Sequence, residues 1–534
     1  MGKSADTLMV PHLLFRVPHL THPAAVLLQL IMGAAQSQIS GRPQANVQDI
    51  IEKAKAMELA DDYVHVDEKD AIHDGSNRSR ASWTPVSASR VEKWEHELLA
   101  DPKNRLALSA LSSADPKTIL TSRATKIEDQ HVFSVKIPFE GAPITNQRSS
   151  GRCWLFAATN VFRVALMKRH NLDKFELSQA YLFFHDKLEK ANYFLEQILD
   201  TVDTDLDSRL VQTLLASPVG DGGQWDMVYN LVEKYGLVPQ VLYPDSYNAQ
   251  NSSVMDSIIT TKLREDALNL RAAAKKSSAS TLSSMKESMM REIHTILTLA
   301  LGPPPPSTTP FTWQYVDKTG AAHELKTTPL AFAKELESLK SLRITNSAVQ
   351  DMFSLVHDPR HDYNTLLTVE RLGNVVGGRP ITYVNVSMPV LKAACIRMLK
   401  AGLPVFFGSD VGKYSNSQSG IMDLDLIDYE LGFNVKLGMS KAQRLMTGES
   451  AMTHAMVLTA VHLDEEGKSV RWRVQNSWGE SAGTEGWFVM SDAWMDEFVY
   501  QAVVEPRFVA KGVRDVLKGE PLVLPLWDPM GALA

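Results

Sequence analysis

The chain is poor in cysteine. Cys153 and Cys395 are the only two thiols in 534 residues. That excludes a disulfide framework and a cysteine-rich zinc site, and makes a reducing compartment, the cytosol, the expected location. Also missing is any apolar run of the roughly 18–20 residues that a membrane-crossing helix needs, so no span is expected. Nor is there an excess of positive charge. The formal net charge is −7, which argues against a general electrostatic affinity for nucleic acid while leaving room for a local basic patch. Asp410, Asp423 and Asp425 have no recognisable ligand spacing and read as solvated loop carboxylates. No metal and no cofactor is expected. What remains is an ordinary globular composition, 44% hydrophobic and 22% charged, long enough for several domain-sized units.

Against that background one cysteine stands out. Cys153 opens an apolar run, Trp154-Leu155-Phe156-Ala157, that reads as a helix continuing to about Arg169. A helix start presents free N–H groups and a partial positive charge, which favour a thiolate over a thiol. Gln147, six residues upstream, offers a side-chain donor for an oxyanion. His454 and Asn476 supply a base and an orienting amide. The alternating runs Thr453–Leu463 and Val470–Val474 flank the turn signal Asp464-Glu465-Glu466-Gly467. A hairpin centred near Glu465 makes His454 and Asn476 cross-strand partners. Asn476 then fixes the imidazole tautomer, and Trp478 shields that bond from water. A lone cysteine before an apolar helix is more often a core residue. The flanking glutamine and the paired histidine and asparagine favour catalysis for Cys153, whereas Cys395, in the helical run Leu391–Ile396, reads as core.

These residues resemble the papain-like cysteine peptidases. The chain has the Gln147-x5-Cys153 spacing, Gly151-Arg152-Cys153-Trp154-Leu155-Phe156-Ala157, His454, and Asn476-Ser477-Trp478-Gly479. Gly220-Asp221-Gly222-Gly223-Gln224-Trp225-Asp226 and the terminal Trp527–Ala534 segment are similar more narrowly to the bleomycin hydrolase family. The similarity runs from about Val91 to Ala534. It implies an α+β fold, a papain-like two-lobe core with a helical insertion and an N-terminal extension. It implies a thiol aminopeptidase on short peptides with a free N-terminus, able to hydrolyse the bleomycin amide and homocysteine thiolactone. A homohexameric ring is implied as well, with DNA binding possible but not favoured. Cys153 is then the nucleophile, His454 the general acid and base, Asn476 its orienter and Gln147 the oxyanion donor. Gly222, Gly223, Trp478 and Ala534 would line the substrate site. Gly222-Gly223 also reads simply as a tight turn. The competing functions are a papain-like endopeptidase and a nucleic-acid-binding ring with secondary peptidase activity.

Residues 1–90 form the extension, expected to be loose or targeting, and 91–534 the peptidase. Ala24–Ala35, preceded by Lys3 and Arg16, has a weakly signal-like apolar patch. A mitochondrial presequence, an upstream extension without a folded role, and secretion all compete there. Met32-Gly33 would fit a myristoylation start if synthesis began at Met32. Val91–Leu99 reads as an amphipathic helix, and Thr118–Phe139 as two short strand-like pieces. The stretch 177–301 reads as mostly helical and contains an insertion, broken by Pro303–Pro306, with Lys275-Lys276 in an exposed loop. Phe311–Val316, Ile381–Val386 and Leu403–Gly408 read as strands, and Leu330–Leu336 as a helix. The tail from 521 to 534 is apolar, carries Pro529, and is expected to dock rather than hang free.

Overall fold

The computed structural model describes residues 84–336 and 352–533. The patch at 24–35, Gly33 and Ala534 lie outside the described residues. The chain divides into two units, Met1–Ala88 and Ser89–Ala534, and the second carries everything that follows.

Two helices lead in, α1 (Ala88–Ala100) and α2 (Pro102–Leu111). Asp101 caps α2 by accepting from the Lys103 N–H, and Pro102 takes the first helical position, where its missing N–H costs nothing. The strand-like pieces expected over Thr118–Phe139 are mostly helical turns instead. Pro116–Ile119 and Arg123–Glu128 are short helices, the second capped by Ser122, and only Val135–Lys136 is a strand, β1. Caps won over a weak alternating pattern.

The helical side consists of α3 (Cys153–Arg169), α4 (Gln179–Asp200), α5 (Arg209–Ala216), α6 (Trp225–Tyr235), α7 (Ser253–Ala274) and α8 (Ala279–Leu301). Apart from Val161, Lys168 and Arg169, every residue of α3 is buried. Its apolar surround is why it can sit centrally, packed against α4, α6 and the sheet. Helices α7 and α8 pack on each other and on α4.

The other side is a twelve-stranded mixed sheet. In chain order its further strands are β4 (Phe353–Val356), β5 (Thr365–Val369), β6 (Tyr383–Asn385), β7 (Val405–Ser409), β8 (Ser415–Asn416), β9 (Ile421–Met422), β10 (His454–Leu463), β11 (Ser469–Gln475), β12 (Trp487–Ser491), β13 (Val499–Val504) and β14 (Leu522–Leu524). A separate hairpin joins β2 (Phe311–Val316) and β3 (Ala322–Thr327). Central β7, β10 and β13 are buried along most of their length, so they read as continuous apolar runs rather than alternating ones. Helix α9 (Met388–Lys400) covers the sheet and buries Cys395 completely.

The β10–β11 hairpin forms, but not in the expected register. Val457 faces Gln475 and Leu458 faces Val474, with bulges between Leu458 and Ala460 and between His462 and Leu463. Continued to the strand ends, that register sets His454 opposite Trp478, two residues beyond the partner that a turn centred on Glu465 would give. β10 is held from its other side by β7, with His454 facing Ser409, and by β1. Those neighbours fix the register and the bulges, and they are not visible in the hairpin's own sequence.

Candidate active site

The start of α3 meets the start of β10 at the junction of the helical side and the sheet. Cys153 is the first residue of α3, and the Ala455 N–H, next to His454, bonds its sulfur. Burial pushes the Cys153 thiol up to about 11, while the backbone N–H groups of Ala455, Trp154 and Cys153 itself pull it down. Burial likewise pushes the His454 imidazole down to about 4, against the pull of Asn476. Both burial effects oppose charge separation. Of the influences on the thiol, only the backbone N–H groups favour its charged form.

His454 Nε2 and Asn476 Oδ1 lie 2.8 Å apart. The same Oδ1 accepts the Ser477 N–H at 2.8 Å, so it is the oxygen that faces the ring. Nε2 must then be the donor, which leaves Nδ1 of a neutral imidazole as the basic nitrogen. Trp478 covers the imidazole, ring centres 4.8 Å apart. The shifted register explains both contacts: the indole sits across from His454, and the Asn476 side chain reaches along the strand to Nε2.

Gln147 is joined to the same segment. Its N–H donates to the Ser477 carbonyl at 2.8 Å, and Asn146 pairs with Trp478. Gly479, at φ +80°, permits this approach, since a Cβ there would lie 2.5 Å from Asn146 Nδ2. The Gln147 side chain is held at both ends. Ser477 Oγ donates to Oε1 at 2.7 Å, and Nε2 donates to the Ser150 carbonyl at 2.7 Å. One amide hydrogen is left for a ligand.

Gly222 and Gly223 lie beside the nucleophile helix. A Cβ on Gly223 would fall 2.5 Å from the Trp154 ring, whose Nε1–H donates to the Asp221 carbonyl at 2.7 Å. Lys190 Nζ holds the Gly220 and Gly222 carbonyls at 2.8 and 2.7 Å from below. The tail arrives at this loop. Arg360 pairs with Asp528, Tyr383 donates to the Met530 carbonyl at 3.3 Å, and Gln224 Nε2 donates to the Ala532 carbonyl at 2.6 Å. Between these contacts the tail makes one tight helical turn, Pro529–Gly531, capped by Asp528, whose side chain accepts from the Met530 N–H. A cavity of about 390 Å³, lined by Lys190, Gly222, Gly531 and Leu533 among others, opens between loop and tail.

Asp410 departs from the solvated reading. It is buried and accepts from Ser450 Oγ at 2.8 Å and Thr453 Oγ1 at 3.3 Å. Sequence reasoning also gave no role to Arg152, Lys187, Lys190, Ser477 or Gln224. The neighbours of the first three carry no signal: Arg152 follows Ser150-Gly151, and Lys187 and Lys190 lie in the charged run His185–Lys190.

Comparison with known proteins agrees with this geometry. Residues 85–531 match the model of the Peptidase C1-like family. Cysteine proteinase 1, mitochondrial, of Saccharomyces cerevisiae is 44% identical over 460 residues, covering 84% of this chain and 93% of the relative. Bleomycin hydrolase of Homo sapiens is 44% identical over 458 residues, 84% of this chain and 99% of its own. The crystal structure of pepw from Lactobacillus rhamnosis superposes with a TM-score of 0.80 at 41% identity, covering 84% of this chain and 99% of that one. A papain-like α+β peptidase fold follows, and the chain belongs to the Peptidase C1-like family as a cysteine peptidase.

Proposed function

We propose that the chain is a cysteine aminopeptidase that removes residues from the free N-terminus of short peptides. Cys153 attacks the amide carbonyl carbon, and the carbonyl π pair moves onto oxygen. The Gln147 amide and the Cys153 N–H receive that oxyanion. His454 Nδ1, having taken the thiol proton, hands it to the leaving amine as the C–N bond breaks. A water then attacks the thioester, losing its proton to Nδ1, and the acid leaves as the thiol re-forms. Asn476 holds the imidazole in the tautomer that makes Nδ1 available. Gly222, Gly223 and Trp478 border the substrate.

The observation that carries the exopeptidase reading is the Gln224–Ala532 hydrogen bond, which brings the chain's end to the glycine pair beside Trp154. A tail lying there leaves little room on the N-terminal side of the scissile bond. The Ala534 carboxylate would pair with a substrate α-ammonium in a partly dry cleft. The bleomycin amide and homocysteine thiolactone are substrates of the same acyl-transfer chemistry, and the first is in the name of the human relative. The peptidase occupies 91–534, with an insertion at 177–301 and the tail from 521. Residues 1–90 are an extension, and a mitochondrial form beside a cytoplasmic one suits the name of the yeast relative. Self-association into a homohexamer would cover exposed Val91, Trp94 and Leu98 of α1.

The test is a matched pair of free and N-acetylated peptides, digested by the full-length protein and by one lacking Gly531–Ala534, with products read by mass spectrometry. Stepwise N-terminal loss by the full-length protein, and internal cuts in acetylated peptide only after truncation, are expected. Internal cuts by the full-length protein would make it an endopeptidase.

A further inference from the structure

Arg152 stands between Gly151 and Cys153 and is wholly buried. A buried guanidinium needs every donor occupied, because removing a charge from water costs several kcal/mol. Here Nη1 and Nη2 make a fork on Asp245, 2.8 and 2.9 Å to its two carboxylate oxygens. The flat cation also lies over the Phe156 and Phe183 rings, 5.1 and 5.5 Å from their centres. Those contacts account for the fork and the faces of the group. On the remaining edge Nε donates to Ser150 Oγ at 2.9 Å.

That last bond has a direction. A hydroxyl has one proton, and a donor on its oxygen obliges the proton to point elsewhere. Ser150 Oγ donates to the Gln147 carbonyl at 2.7 Å, while the Ser150 carbonyl takes the Gln147 Nε2–H at 2.7 Å. Arg152, Ser150 and Gln147 thus form one relay. The backbone of this segment is tied at Gln147 to the Ser477 carbonyl, at Ser149 to the Gln250 carbonyl at 2.9 Å and at Gly151 to Asp221 Oδ2 at 2.8 Å, but none of these bonds aims the Gln147 Nε2 end. The segment lies outside every helix and strand, and Arg148 sits at φ +55°, a left-handed conformation that non-glycine residues rarely take. Asp245 continues the relay outward, because Ser246 donates to the Ala300 carbonyl at 3.1 Å, on the last turn of α8.

Building on the oxyanion role proposed for Gln147, we infer that Arg152 is a positioning residue for that amide. It acts through Ser150 and is anchored to the helical side by Asp245. It aims the oxyanion donor and does not touch the substrate. The relay predicts a defect in transition-state stabilisation that depends on Gln147. Ångström-scale misplacement of such a donor costs on the order of 10–10²-fold in rate.

The experiment is a double-mutant cycle on the full chain. Arg152→Gln and Ser150→Ala are each made alone and with Gln147→Ala, and kcat and KM are measured on a free-amine peptide amide. Iodoacetamide alkylation of Cys153 is measured in parallel, because that displacement forms no oxyanion. Each single variant is expected to lose on the order of tenfold or more in kcat, with KM within about twofold. In the Gln147→Ala background the same changes should cost less than about threefold. Alkylation should stay within about twofold of the parent, and Arg152→Lys should regain part of the kcat. Equal losses in both backgrounds, or alkylation falling with kcat, would overturn the relay in favour of a plain structural role. If Arg152→Gln does not fold, Ser150→Ala decides alone, since it cuts the relay and leaves the Arg152–Asp245 pair intact. Should Gln147→Ala by itself cost under threefold, the oxyanion assignment fails, a result distinct from failure of the relay.

Discussion

Both thiols are buried, yet they meet different surroundings. Cys395 lies inside α9 among apolar groups, and burial pushes its thiol up to about 12. At Cys153 the Ala455 and Trp154 backbone N–H groups pull the thiol back down, and the proposed base is His454. Iodoacetamide is therefore expected to label Cys153 and to spare Cys395 in native protein, with peptide mapping as the readout. Cys153→Ala should abolish hydrolysis, and equal labelling of both thiols would contradict the assignment. The remaining roles predict an order of damage. His454→Ala removes the proton carrier and should approach the loss seen for Cys153→Ala. Asn476→Ala only frees the tautomer and should cost less, and Gln147→Ala should cost on the order of 10²-fold in kcat. A larger kcat/KM loss at Asn476 than at His454 would reverse their roles.

At the level of elements, α3 and the loop from Gly220 to Gln224 are packed face to face. Gly223→Ala would drive a methyl into the Trp154 ring, which Asp221 holds by its Nε1–H. The expected cost is about 1–3 kcal/mol of stability, with a rise in KM from the displaced glycine pair. Thermal unfolding and steady-state kinetics measure the two effects, and an unchanged KM would remove Gly223 from the substrate site. The same elements show what a sequence displays and what it hides. The bounds of α3 were readable because its apolar run starts at Cys153 and ends in Lys168 and Arg169, both local signals. The hairpin's existence was readable from its turn. Its register was not, because β7 and β1 determine where β10 bulges. The helix at Arg123 left a cap signal at Ser122 that a weak alternation obscured. Arg152 and Lys190 gave no hint of purpose. Their partners sit 93 residues on at Asp245 and 30–32 residues on at Gly220 and Gly222, and only the fold joins them.

The whole molecule carries several imidazoles that must stay neutral. His185 stacks on Tyr235 with ring centres 3.7 Å apart, and both its nitrogens are buried without partners. Burial, helped by the nearby charges of Lys234 and His294, lowers it to about 3. His357 is lowered to about 3 and His454 to about 4, again chiefly by burial. Each has a folded pKa below its unfolded value near 6.5. Between those values the unfolded chain binds the proton and the native one does not, so stability falls as pH drops from 6.5 toward 3. Asp226 works in the opposite sense. Burial raises it to about 6 despite Arg379, so its contribution is lost as pH rises from about 4 to 6. A variant isolates one group. Relative to the parent, His185→Phe should gain about 2–3 kcal/mol on going from pH 7.5 to 4.5. Denaturant melts at the two pH values measure it, and a constant difference would show that His185 is already protonated in the native state.

One feature of that whole bears on how the protein can be handled. Asp528, Met530 and Ala532 are each gripped, so this stretch is a fitted part of the domain. A bulky substituent placed on this stretch would have to break the Arg360 ion pair or the Gln224 hydrogen bond to be accommodated. A purification tag set beside these residues would compete with the same contacts. Affinity handles and fusion partners therefore belong elsewhere on the molecule.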